Sequence, residues 1–137
     1  LTSELNGLRT FRAVVFSGLG EGEFFVNLYA RNIRSALGIT PYPGTLNLRL
    51  VEGVNEYVRV LGNLRPIVIE PPKIPGVVLG RVYAYPALLN STVPVFIVRP
   101  EITAYKSDVV EVIAEVRLRD LLNLEDGDVV NISIEDP

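Results

Sequence analysis

Three groups of residues in this chain have the types and spacing to do chemistry. In residues 17–23 (SGLGEGE) glycines alternate at Gly18, Gly20 and Gly22. Such a backbone can turn sharply and bring its N–H groups close to an anion. Thr45 and Asn47 stand two apart in TLNLRLV, so on a strand both side chains face the same side. Their oxygens suit a hard cation such as Mg²⁺, with phosphate oxygens and water completing the shell. Glu111 lies in the apolar run VVEVIAEV, where a carboxylate needs partners or its pKa rises. Beside a substrate hydroxyl it would orient that group and accept its proton during phosphoryl transfer.

Each group also has a plainer reading. A GxGxG string is what an ordinary hairpin loop uses. This one lacks the Lys and Ser/Thr of a Walker loop, and Glu21 and Glu23 repel phosphate unless they turn away or meet a cation. Thr45 and Asn47 fit a solvated strand face entered through the rigid turn ITPYPG at 39–44. Glu111, with Glu115 four residues on, fits the exposed face of a half-buried strand. Arg117 and Arg119 would grip phosphate or base, or sit on a solvated helix.

Composition narrows the chemistry. The chain has 137 residues, 48% of them apolar and 21% charged, the profile of one globular domain, spanning 1–137. It contains no Cys and no His. Thiolate nucleophiles, His-based triads and zinc sites of the usual kinds are therefore excluded. Net charge is −3 with no long basic run, so nucleic-acid binding by this chain alone is disfavoured. Arg outnumbers Lys, whose only copies are Lys73 and Lys106, and the planar guanidinium suits phosphate. No apolar run is long enough to span a membrane, and no signal-peptide pattern opens the chain. The expectation is a cytoplasmic monomer acting on small molecules.

These residues need a scaffold. Residues 9–16 and 24–28 read as strands joined by the glycine loop, a hairpin rather than a strand–loop–helix unit. Residues 29–38 read as a short helix ending at Gly38. Residues 45–51 alternate cleanly, with Leu46, Leu48 and Leu50 on one face. A proline-rich connection with a short strand covers 66–76. Strands follow at 77–85, 93–98 and 109–116, with Pro94 marking an edge or a strand start. One or two helical turns at 117–122 and a tight turn at 123–128 lead into a last strand at 129–134. About six strands and two short helices make a small, mainly β barrel.

Taken together, the strings SGLGEGEFFVNL (17–28), LGITPYPGTLNLRL (37–50), RPEITAYKSDVVEVIAEVRLRD (99–120) and LEDGDVVNISI (124–134) resemble the archaeal CTP-dependent riboflavin kinase family in order and spacing. The likeness runs from about Phe11 to Ile134 and is weakest between Val51 and Pro75. It implies a cradle-loop β-barrel and a kinase that moves the γ-phosphoryl of CTP onto riboflavin, giving FMN. Carried over by position, Gly18, Leu19, Gly20, Glu21, Gly22 and Glu23, with Val116, Arg117, Leu118 and Arg119, would contact the nucleotide. Thr45 and Asn47 would bind Mg²⁺, and Thr103 and Glu111 the flavin. Glu23 departs from the Arg or Lys frequent at that position, which removes any cationic nucleotide contact there. In some relatives a winged-helix DNA-binding domain precedes this one, and the Leu1 start is compatible with that arrangement.

Two rival functions come from different classes. The ending NLEDGDVVNISI looks like that of a swapped-hairpin transcription factor, a non-enzymatic regulatory barrel. Glu23 would suit a flavin- or nucleotide-binding module without turnover.

Overall fold

The computed structural model describes residues 7–103 and 105–137. Residues 1–6, and Ala104 within the RPEITAYKSD string, lie outside that description.

Among the described residues, seven strands and three helices follow in the order β1 (Leu8–Phe16), α1 (Gly22–Leu37), β2 (Leu46–Leu50), α2 (Val54–Gly62), β3 (Ile67–Ile69), β4 (Val82–Leu89), β5 (Val93–Pro100), β6 (Val109–Ile113), α3 (Leu118–Leu121) and β7 (Val129–Glu135). The ladder β4-β5-β6-β2-β1-β7 is antiparallel throughout and closes where Ala87–Leu89 of β4 pair with Ile132–Ile134 of β7. Six strands thus form a barrel, and closure removes the sheet edges. β3 pairs with Val82, Ala84 and the residue between them, on the edge of β4 that β7 occupies further along. Pro86 sits between the two pairings, where its missing N–H costs no ladder bond.

Strand alternation sorts the side chains into two cores. Phe11, Ala13 and Val15, Leu46, Leu48 and Leu50, Val95 and Ile97, Val110 and Val112, and Val130, Ile132 and Ile134 fill the barrel, joined by Tyr57, Val60 and Leu61 of α2. The opposite faces of β3–β6 present Ile69, Val82, Ala84, Val98 and Ile113, on which Val26, Tyr29 and Ile33 of α1 pack. Thr45, Asn47 and Glu111 belong to the outer parity as well. The chemistry-bearing residues are therefore on the outside of the barrel wall, beside α1.

Several sequence expectations change. Residues 24–28 are not a strand but the first turns of α1, so the glycine loop joins a strand to a helix. Phe24, Phe25 and Val26 have strand propensity, but Val26, Tyr29 and Ile33 recur at i, i+3 and i+7, and burying that face on the outer sheet decides the conformation. The strand expected at 77–85 begins only at Val82. The strand expected at 109–116 stops at Ile113, and the Ala114 carbonyl instead accepts the Tyr42 N–H at 2.8 Å. Glu115 is consequently out of register with Glu111, and its carboxylate accepts the Thr40 N–H at 3.1 Å. α2 was not foreseen. It starts after Gly53 at φ 74°, a left-handed turn that glycine adopts without strain.

Candidate active site

β1 delivers the glycine loop to the outer wall, and β2 supplies the surface on which the loop lies. Gly18 lies so close to β2 that a Cβ there would fall on the Tyr105 phenol oxygen and 2.5 Å from the Asn47 amide nitrogen. A Cβ on Gly22 would strike the Thr45 hydroxyl and come within 2.9 Å of the Thr45 backbone nitrogen. These glycines are needed for contact, since any larger residue would lift the loop from the strand. The loop then runs into the N-terminus of α1, which has no side-chain cap. Uncapped N–H groups and the helix dipole both favour an anion there.

Two cavities adjoin on this face. The larger, about 430 Å³, is lined by Leu19–Gly22, Phe25, Tyr29, Thr45, Asn47, Val78–Val82, Pro100, Ile102, Thr103, Tyr105 and Glu111. The smaller, about 270 Å³, is lined by Glu23, Tyr42–Leu46, Val112, Ala114 and Val116–Arg119. Thr45 lines both. A ligand in each cavity would meet the other over the Thr45 side chain, between the glycine loop and β2.

The residues carried over by position fall at or against this double site. Leu19, Gly20, Glu21, Gly22, Asn47, Thr103 and Glu111 face the larger cavity, and Glu23, Val116, Arg117, Leu118 and Arg119 the smaller. Gly18 is wedged beneath, between Asn47 and Tyr105. The loop is a partition: most of it faces the larger cavity, and only its end at Glu23 reaches the smaller.

The two arginines are already paired. Arg117 donates to Asp120 at 2.6 Å, and Arg119 to Asp126 at 2.6 Å. Asp126 also accepts the Ser17 hydroxyl at 2.7 Å. Those hydrogen bonds, from Ser17 first and Arg119 second, hold its carboxyl below the ordinary range. This chain ties α3 to the start of the glycine loop.

Glu111 is half-buried on β6, opposite Asn47 of β2 and Val98 of β5. Burial first, and the nearby Glu21 carboxylate second, push it up to about 7, against a smaller downward pull from Arg99. A carboxyl titrating near neutrality is suited to exchanging a proton with a substrate hydroxyl.

A family model for the CTP-dependent riboflavin kinase domain, described as a domain of unknown function, DUF120, matches residues 15–134. The chain belongs to the CTP-dependent riboflavin kinase domain family. A riboflavin kinase of Aeropyrum pernix is 52% identical over 127 residues, which cover 93% of this chain and 96% of that one. A riboflavin kinase of Sulfolobus acidocaldarius is 42% identical, over 94% of this chain and 83% of its own. One of Pyrobaculum aerophilum is 47% identical, over 88% of this chain and 58% of its own. The family match covers the glycine loop, both cavities and β7 up to Ile134.

The donor set of this riboflavin kinase-family site fits a hard cation. The Thr45 hydroxyl lies 3.5 Å from the Asn47 carboxamide oxygen, and both face the larger cavity with Glu111 across the ladder. Among the described residues no group of three or more His, Cys, Asp or Glu is gathered to hold a metal. Two neutral oxygens bind Mg²⁺ weakly by themselves, so the remaining ligands would come from phosphate and water.

Sequence reasoning missed part of the larger cavity. Val78 and Ile102 line it beside Leu19 as exposed apolar side chains, Val78 at 91%. Residues 77–81 were read as strand, which hid the place of Val78 in that lining. Tyr42, partly exposed beside the smaller cavity, was read only as part of a stiff turn. Among the described residues, no helix is long and apolar enough to cross a membrane.

Proposed function

We propose that the chain is a riboflavin kinase that uses CTP, transferring its γ-phosphoryl group to the riboflavin 5′-hydroxyl to give FMN and CDP. The observation that carries this reading is the pair of cavities meeting at Thr45, with a glycine loop and an uncapped helix N-terminus between them. The family match and the activity named for the relatives support it.

The larger cavity suits the flavin. Its walls are mostly apolar, including Phe25, Val78, Leu79, Val82 and Ile102, as a planar ring system needs. Thr103 and Glu111 then meet the polar ribityl chain. The smaller cavity suits the cytidine, with Pro43, Gly44 and Arg117–Arg119 around it. A site that pairs the polar edge of cytosine with fixed groups rejects other bases, because unmatched buried polar groups are costly.

In the reaction the 5′-oxygen forms a bond to Pγ as the bond from Pγ to the β-phosphate oxygen breaks, releasing CDP. Glu111 holds the hydroxyl in line and takes its proton. Gly20–Gly22 and the N-terminus of α1 cradle the phosphates. Thr45 and Asn47 would hold Mg²⁺, which when bound neutralises phosphate charge. Burial first, and Glu21 second, raise Glu111 to about 7, where a carboxylate is basic enough to take a hydroxyl proton. Positioning and electrostatics supply most of the rate, as in other phosphoryl transfers.

The test is to incubate the protein with riboflavin, Mg²⁺ and CTP, ATP, GTP or UTP separately and to separate the products. FMN forming fastest with CTP is expected. FMN with ATP but not CTP would overturn the donor assignment. No FMN with any donor would leave a binding module or a regulatory barrel.

A further inference from the structure

Tyr105 touches both the acceptor side and the glycine loop. Its phenol oxygen accepts the Leu19 N–H at 2.8 Å. Its own backbone N–H donates to the Thr103 hydroxyl oxygen at 3.1 Å. Its ring stands edge-on to Phe16, at the end of β1, with centroids 6.0 Å apart and planes at 85°. Phe16 in turn carries the Arg49 guanidinium 4.7 Å from its ring centre, and Arg49 pairs with Asp108 at 3.0 Å. Gly18 has no room for a Cβ between Tyr105 and Asn47.

A phenol that accepts an N–H keeps its own proton to donate. Tyr105 lines the larger cavity, so that proton is available to an oxygen of the acceptor. We propose that Tyr105 is a positioning residue that couples the two substrates. It fixes the glycine loop through Leu19 while answering to the ligand beside Thr103. This rests on the assignment of flavin and nucleotide to the two cavities. An acceptor that orders Tyr105 also orders the loop that cradles phosphate, so each substrate tightens the other by the same factor.

The test uses riboflavin and CDP, a pair that cannot react, with Mg²⁺ present. Calorimetry measures CDP binding with and without saturating riboflavin, and riboflavin fluorescence measures the converse. In the wild type each ligand is expected to tighten the other about 5–10-fold. Tyr105→Phe keeps the ring against Phe16 and loses the hydroxyl. It should retain the thermal midpoint, bring the coupling below about 2-fold, and lower kcat more than it raises the riboflavin KM. Phe16→Leu keeps the hydroxyl but removes the ring it leans on, and gives a smaller loss of coupling should Tyr105→Phe melt early. Equal coupling in the wild type and Tyr105→Phe overturns the inference. So does a wild type that binds both ligands without coupling, and that result leaves the kinase reading intact. A wild type that binds neither ligand overturns both.

Discussion

Asn47 and Glu111 face each other across the β2–β6 ladder, on the outer face of the barrel wall. In the proposed reaction one would hold a cation on a phosphate and the other would handle a hydroxyl proton. The spacing between strands, about 5 Å, is what brings these two duties together without any loop having to close.

Replacing Glu111 by Gln should cost turnover and gain stability. Loss of a general base lowers kcat by about 10²–10⁴-fold. The folded-state pKa of about 7 lies above the ordinary 4.5, so between those values the folded chain holds more proton than the unfolded one. Stability is therefore full below about pH 4.5 and is lost as pH rises through 7. The loss is on the order of 2–3 kcal/mol. Urea unfolding of metal-free protein at pH 5 and pH 8 should show this loss in the wild type and not in Glu111→Gln.

Thr45→Ala removes the side chain shared by both cavities. Turnover at saturating substrates should fall by about 10²-fold or more, with riboflavin affinity within about 3-fold of wild type. Near-normal turnover at high Mg²⁺ would take Thr45 out of the cation role. Steady-state kinetics beside a fluorescence titration separates the two effects.

Glycines at different places should respond in opposite directions. Gly22→Ala drives a Cβ against Thr45, and overpacking of this kind costs about 1–3 kcal/mol. It should also reduce activity by displacing the loop from the strand. Gly62, the last residue of α2, has nothing within 4 Å of an added Cβ. Gly62→Ala should stabilise by about 0.4–1 kcal/mol through the unfolded chain, with activity unchanged. Thermal melts and the FMN assay report both.

Ile33, on the face of α1 that packs on the sheet, is fully buried. Ile33→Ala should cost about 2–5 kcal/mol and lower the melting midpoint. The same helix supplies Phe25 and Tyr29 to the larger cavity, so on the proposed reading riboflavin should recover part of that loss by binding only the folded state.

What could be read directly from the chain was local in origin. The alternation of Leu46, Leu48 and Leu50 and the prolines before Thr45 fixed β2 and its outward pair. NLEDGD marked the turn into β7. Phe24–Val26 misled because β propensity is easily overridden when a helix face is buried on a sheet. Residues 77–81 misled because exposed Val78 lines a cavity while Leu79 packs on the core under α1, an apolar run that is not a strand. Glu111 was ambiguous for a physical reason: it lies on the outer face of a barrel yet is covered by a loop distant in sequence. That Thr45 would stand between two cavities depends on Gly22 lying against it, a contact that strand periodicity cannot show.

The most direct measurement is a crystal structure with riboflavin, CDP and Mg²⁺ bound. The expected result has the flavin ring among Phe25, Val78 and Ile102, and the cytosine between Pro43–Gly44 and Arg117–Arg119. The 5′-hydroxyl and the β-phosphate should then approach each other over Thr45. A flavin and a nucleotide on opposite sides of the barrel, or either one away from Thr45, would contradict the account.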